Sequence, residues 1–207
     1  MFSGIVERTS SLKSYRKYSD GIFIEIENPY EELFEGESIS LDGCCLTVDK
    51  FDKDSIYFFL SLETLKRTKF SRIDMKNHVF NLERSLTLNK LIGGHLVLGH
   101  VDDVGIVQEV KNFENTRILE IQFNPIFKKF TVYKGSICVD GVSLTINEIG
   151  ESSFKIALIP KTIEITNLKY LKEGSFVNLE FDIIAKYVEN LINKGWKSLL
   201  LPQHSQE

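Results

Sequence analysis

The chain has 207 residues, of which 43% are hydrophobic and 26% charged, ordinary proportions for a globular protein of one domain or two small ones. A formal net charge of −4 disfavours a polyanionic partner, so no nucleic acid is expected. No run approaches the ~20 apolar residues of a membrane span, the opening segment lacks a signal-peptide core, and Cys44, Cys45 and Cys138 show no metal-ligand spacing and cannot all pair, so a cytoplasmic protein with reduced thiols, no metal and no membrane is expected.

Along the chain, Gly4-Ile5-Val6-Glu7 is followed by apolar runs at residues 22–26 and 56–60 that read as strands. Asp42-Gly43 between them is a hairpin-turn signal. Gly93-Gly94 marks a boundary. Beyond it, residues 118–123 and 154–159 read as strands, with a second turn signal at Asp140-Gly141. After Asp182, a good N-cap, positions 183, 184, 187, 188, 191, 192, 196, 199 and 200 are apolar, a helical stripe. That stripe fits either a helix packed on its own barrel or a seam between subunits. Pro202 and the polar residues after it read as a frayed end.

The two halves repeat each other. Gly4-Ile5-Val6-Glu7 matches Gly105-Ile106-Val107-Gln108 at an offset of 101 residues. Ser38-Ile39-Ser40-Leu41-Asp42-Gly43-Cys44-Cys45-Leu46-Thr47-Val48 matches the run from Ser136 to Ile146 at 98, as Leu62-Glu63-Thr64-Leu65 matches Pro160-Lys161-Thr162-Ile163. Phe80-Asn81-Leu82-Glu83 matches Val177-Asn178-Leu179-Glu180 at 97. An all-β protein follows: two copies of one small barrel or sandwich, divided as 1–95 and 96–182, then a helix and tail at 183–207.

These motifs, taken in order over nearly the whole chain, resemble the riboflavin synthase α-chain family. The carriers are Met1-Phe2-Ser3-Gly4-Ile5-Val6, Gly43-Cys44-Cys45-Leu46-Thr47-Val48, Gly93-Gly94-His95-Leu96-Val97-Leu98-Gly99-His100-Val101-Asp102, Lys134-Gly135-Ser136, Asp140-Gly141-Val142-Ser143-Leu144-Thr145 and Leu158-Ile159-Pro160-Lys161-Thr162. The resemblance implies two six-stranded Greek-key β-barrels in tandem, and a C-terminal helix that joins three chains into a homotrimer with inter-subunit active sites. It implies dismutation of two 6,7-dimethyl-8-ribityllumazine molecules, one giving a four-carbon unit to the other, to yield riboflavin and 5-amino-6-ribitylamino-2,4(1H,3H)-pyrimidinedione without any cofactor. It leaves association with lumazine synthase open.

By the same resemblance, a first lumazine site uses Gly4, Ile5 and Val6 with Cys45, Leu46, Thr47, Ser61, Leu62, Glu63 and Thr64. A second uses Gly99, His100 and Val101 with Ser143, Leu144, Thr145, Leu158, Ile159, Pro160, Lys161, Thr162 and Ile163. Lys134 is expected to reach substrate held by another subunit. His100 is the candidate acid–base group, Ser38 and Cys45 would supply or activate a nucleophile, and Asp182 would orient a protonated group.

Plainer roles compete for several of these residues. Free cysteine is commonly a small buried hydrophobe; of Cys44 and Cys45, on opposite strand faces, only Cys45 should face a pocket, and Cys138 belongs to a core. His95 and His100 would fall on opposite faces of a regular strand, and His95 is as well suited to a structural hydrogen bond as to catalysis. His78 and His204 look like surface residues. Asp42 and Asp140 suit turns, and Asp182 a helix cap. Two departures from the family stand out: Thr68-Lys69-Phe70 where the second repeat has Thr166-Asn167-Leu168, with Lys69 expected at the surface, and Leu98 before Gly99, which would make a pocket wall less polar. Lumazine proteins, which bind without turnover, are the main rival class; they lose parts of the hinge and second-site motifs that are intact here. A barrel that binds single-stranded nucleic acid is disfavoured by the acidic balance.

Overall fold

Short strands form where inward apolar residues alternate with outward ones, as in Ser153–Leu158, where Phe154, Ile156 and Leu158 are buried and the residues between them are not. The computed structural model describes residues 1–193. In the first half, β1 (Arg8–Lys17), β2 (Gly21–Glu27), β3 (Ser38–Leu41), β4 (Cys44–Phe51), β5 (Ser55–Ser61) and β6 (Val79–Arg84) close a barrel in the order β1-β2-β5-β4-β3-β6. In the second, β7 (Asp103–Asn112), β8 (Arg117–Gln122), β9 (Ser136–Val139), β10 (Val142–Ile149), β11 (Ser153–Leu158) and β12 (Phe176–Phe181) close another with equivalent neighbours. Short helices α1 (Leu62–Arg67) and α2 (Pro160–Ile165) follow the fifth strand of each barrel, and α3 (Ile183–Asn193) follows β12. Ile159 ends no strand; it is the N-cap of α2.

Each Asp-Gly pair makes the two-residue hairpin its composition suggests, with φ of 45° and 79° at Asp42 and Gly43 and of 47° and 78° at Asp140 and Gly141. The two turns meet back to back: a Cβ on Gly43 would sit 2.8 Å from the Gly141 backbone nitrogen. Around them the repeats interlock through buried polar groups. Asn81 donates to the Asp140 carbonyl at 2.8 Å, and Asn178 to that of Asp42 at 2.9 Å. The Asn167 side chain donates to Asp42 Oδ1 at 2.9 Å.

The departure at Lys69 lies in this junction. Lys69 is fully buried, its ammonium 2.6 Å from Asp140 Oδ2 and 3.1 Å from Asp42 Oδ2, where a surface position was expected. A lone charge could not be buried so; two aspartates make it tolerable. His78, also expected at the surface, is mostly covered, with Nε2 2.6 Å from Asp42 Oδ2. His204 lies outside the described residues.

The chain segments that enter the barrels correct the repeat alignment. Gly4 and Gly99 both have left-handed φ, 75° and 79°, and occupy equivalent places, so Gly4-Ile5-Val6-Glu7 corresponds to Gly99-His100-Val101-Asp102. Gly105 instead sits within β7 opposite Val177, the place Ser10 holds opposite Phe80. These entry segments also exchange partners. Val6 is buried in the core of the second barrel, and Val101 packs on the core of the first. Phe2 and Val97 pair by hydrogen bonds of 2.7 and 3.1 Å where the two segments meet.

Asp182 caps α3 as expected, its Oδ1 accepting from the Ile184 N–H at 2.9 Å. The visible stripe of α3 is uncovered by its own barrel: Ile184 is 60% and Tyr187 67% exposed. Positions 196, 199 and 200 lie outside the described residues. Among those described, no helix is long and apolar enough to cross a membrane.

Candidate functional site

Two buried carboxylates hold the exchanged segments. Glu83 on β6 accepts from the Ser3 N–H and hydroxyl, each at 2.7 Å, and from the Gly4 N–H at 2.9 Å. Glu180 on β12 does the same for the N–H groups of Leu98, Gly99 and His100 at 2.7, 2.8 and 2.9 Å. Burial raises both carboxyl pKa values, against the pull of these donors. Sequence reading missed this role, although Asn-Leu-Glu recurs at 81–83 and 178–180.

Held this way, each segment lines the opposite barrel. The Cys45 N–H donates to the Gly99 carbonyl at 2.9 Å, and the Ser143 N–H to that of Gly4 at 2.7 Å. The expected grouping is therefore exchanged: Gly99, His100 and Val101 stand against Cys45, while Gly4 stands against Ser143. The approach is close enough to demand glycine; a Cβ on Gly99 would lie 2.5 Å from the Cys45 Cβ, and one on Gly4 2.6 Å from that of Ser143.

The first cluster surrounds a cavity of about 420 Å³ lined by Cys44, Cys45, Glu63, Thr64, Arg67, Thr68, Gly99, His100, Val101 and Asp102. Ser61 caps α1, its hydroxyl accepting from the Thr64 N–H at 3.1 Å, which fixes the Ser61–Thr64 corner. Leu62 is exposed, Leu46 points into the barrel and Thr47 points out. Cys44 belongs to the barrel core, where burial pushes its thiol up to about 12, while Cys45 is only partly covered. Cys138 is core, and burial lifts its pKa well above the ordinary thiol value. His100 is exposed on the cavity wall.

The second cluster repeats the design with different chemistry. Ser143 replaces Cys45, Leu144 points inward and Thr145 outward. Ile159 and Pro160 start α2, Thr162 accepts from Thr166 at its carbonyl, Lys161 pairs with Glu164, and Ile163 packs on the core. Leu158 is buried in the barrel, so its side chain faces away from any pocket. His95 Nδ1 lies 2.7 Å from the Ser143 hydroxyl oxygen, a contact the spacing of the two residues does not announce. Burial lowers the His95 pKa, opposed by the Asp182 carboxylate, so a neutral imidazole faces Ser143. His95 Nε2 is buried with no partner among the described residues.

Other expected residues lie apart. Ser38 pairs with Thr47 at the far end of β3 and lines a separate cavity with Arg84 and Lys90, away from Cys45 and His100. Lys134, with φ of 62°, points its ammonium to Asn147 at 3.2 Å. Leu98 is half-buried and bound through its backbone. A larger cavity of about 560 Å³ opens beside His78, Asn167 and Phe176, but no Leu-Thr motif or entry segment lines it.

Two closed barrels, each presenting a Leu-Thr strand and a helix corner to a glycine segment from the other, define a duplicated small-ligand-binding protein. The lumazine binding domain model matches residues 3–85 and again 98–182. The chain belongs to the riboflavin synthase family. It is 36% identical to the riboflavin synthase of Actinobacillus pleuropneumoniae over 196 residues, 94% of this chain and 91% of that one. It is 37% identical to that of Bacillus subtilis over 197 residues, with the same coverage. With that of Mycobacterium tuberculosis it shares 36% over 201 residues, 94% of this chain and all of the relative. Among solved structures it is similar to LumP in complex with 6,7-dimethyl-8-(1'-D-ribityl) lumazine, with a TM-score of 0.79 and 26% identity over 87% of this chain and 99% of that one. LumP in complex with riboflavin gives 0.80 and 29% with the same coverage.

Proposed function

We propose that this chain is a riboflavin synthase that converts two molecules of 6,7-dimethyl-8-ribityllumazine into riboflavin and 5-amino-6-ribitylamino-2,4(1H,3H)-pyrimidinedione. The observation that carries this reading is the duplicated arrangement of a Leu-Thr strand and helix corner against a glycine segment from the other repeat. A reaction between two copies of one molecule needs two similar seats, and holding both removes much of the entropic barrier of a bimolecular step. One lumazine is held by Cys45, Leu46, Thr47 and the 61–64 corner under Gly99, His100 and Val101. The other is held by Ser143, Leu144, Thr145 and the 159–163 corner under Gly4, Ile5 and Val6. Backbone N–H and C=O groups suit the amide-rich ring, and hydroxyl and carboxylate side chains suit the ribityl chain.

In this reading His100 and Cys45 act on the first substrate, and His95, neutral and bonded to Ser143, takes a proton from that hydroxyl or from a water beside the second. Asp182 acts through His95, and Ser38 only shapes the strand behind Cys45. Three chains assemble through the uncovered stripe of α3, so that the first-barrel pocket of one meets the second-barrel pocket of its neighbour, within reach of that neighbour's counterpart of Lys134. The units are 1–95, 96–182 and the 183–207 tail. The free thiols among the described residues suit a reducing cytoplasm.

Purified protein incubated with 6,7-dimethyl-8-ribityllumazine, without added cofactor, should form one riboflavin for every two lumazines consumed. Tight lumazine binding with no riboflavin would refute the enzyme and leave a chromophore carrier.

A further inference from the structure

Lys69 is a cation with no access to solvent, placed on neither pocket and used by no step above. Among the described residues its ammonium pairs with the two turn carboxylates, at 2.6 Å to Asp140 and 3.1 Å to Asp42. The second repeat solves the same position differently: Asn167 reaches Asp42 through its amide, at 2.9 Å. The asymmetry therefore has a specific geometric content. One charged group spans both turns, where an amide spans one.

What the turns carry makes this matter. Two residues beyond each turn stands the strand residue that meets the opposite entry segment: Cys45 with Gly99 at 2.9 Å, and Ser143 with Gly4 at 2.7 Å. The turns are in contact at Gly43 and Gly141, so a change in their separation moves both strands against both segments. His100 rides on one side of that joint and Cys45 on the other.

We propose that Lys69 is a positioning residue for the reaction: by clasping Asp42 and Asp140 it fixes how each entry segment closes over the opposite barrel's pocket. This rests on the synthase reading. Each substrate still contacts mostly one barrel's strand and corner, so the clasp governs alignment of the reacting groups more than substrate affinity.

The test compares the parent with Lys69→Met and with Lys69→Met/Asp140→Asn, measuring melting temperature, kcat and KM for 6,7-dimethyl-8-ribityllumazine. The single variant strips Asp140 of its cation and leaves Asp42 to His78, and should melt well below the parent. The double variant removes one negative charge with the positive one, keeps the Asn178 N–H bonded to the residue-140 side-chain oxygen, and should melt close to the parent. A small misplacement of reacting groups is worth up to about 100-fold in rate; we expect kcat of the double variant to fall about tenfold or more, with KM changed by less than about threefold. Parent-like kcat and KM in a folded double variant would reduce Lys69 to charge balance and overturn the proposal. So would a double variant that melts as low as the single one, because the lysine stem, not the carboxylate pair, would then be what matters. A parent protein that makes no riboflavin fails the synthase reading first, so the two failures are distinguishable.

Discussion

If the entry segments exchange partners, Gly99→Ala should damage the first barrel's pocket and Gly4→Ala the second barrel's. At Gly99 the backbone is left-handed, with φ of 79°, which opposes an L side chain by roughly 1–2 kcal/mol. The new Cβ would stand 2.5 Å from the Cys45 Cβ and 2.7 Å from its nitrogen, so the segment must retreat. Retreat breaks the 2.9 Å bond from the Cys45 N–H to the Gly99 carbonyl, worth about 1 kcal/mol. The sum, about 2–3 kcal/mol, weakens lumazine binding at that pocket by roughly 30- to 150-fold. Cys45 supplies a reporter, because bound lumazine should shield its thiol from alkylation, while Cys44 and Cys138 are buried and hold their protons. In Cys45→Ser/Ser143→Cys protein the thiol reports on the other pocket. Gly99→Ala should abolish protection of Cys45 at lumazine concentrations that protect the parent, yet leave protection at position 143 intact, and Gly4→Ala should do the reverse. Loss at the same-barrel pocket in either case would refute the exchange.

Three further outcomes are expected. Burial, opposed by Lys69 and reinforced by Asp42, lifts the Asp140 carboxyl to about 6, above the ~3.9 of an unfolded chain; its contribution to stability is complete below about pH 3.9 and lost as pH rises through about 6. Asp42 runs the other way, since burial there is outweighed by Lys69 and His78, so its contribution is lost as pH falls. Asp140→Asn should therefore gain in melting temperature relative to the parent between about pH 4 and pH 7, and a difference that shrinks over that range would contradict the sign. Ser143→Ala and His95→Gln should each lower kcat, and the double variant should lose little more than the worse single one, because the 2.7 Å contact makes them one unit; additive losses in logarithm of kcat would separate them. If three chains assemble as proposed, Ile184→Glu/Val188→Glu on the exposed α3 stripe should shift the mass by light scattering from trimer to monomer with each barrel still folded; an unchanged mass would remove α3 from the assembly.

What was legible in the sequence was local. Asp-Gly between apolar runs specifies a two-residue hairpin, and Asp182 before a helical stripe specifies a cap, since neighbours alone decide both. What was hidden depended on residues far apart. Lys69 reads as surface because lysine usually is, and its burial follows from Asp42 and Asp140, 71 residues away in the second case. Glu83 and Glu180 recur with their strands, but nothing in their spacing reveals that they bind the N–H groups of segments about 80 residues away. The His95–Ser143 contact likewise needs the fold to bring 48 residues of separation to 2.7 Å.

The misleading signal was the match of Gly4-Ile5-Val6 with Gly105-Ile106-Val107, identical in letters but different in place. From β3 to α1 and from β9 to α2 the repeats hold an offset of 98, as at Ser38 and Ser136. At the entry segments the offset is 95, Gly4 to Gly99, because the second repeat spends more residues reaching its third strand. Those segments do not belong wholly to the barrels they precede. A single repeat carries the strand, the corner and the carboxylate anchor, yet the glycine wall over its pocket comes from the other copy. The second barrel therefore completes the first barrel's pocket as well as adding its own, and neither Leu-Thr motif defines a site until both repeats have folded together.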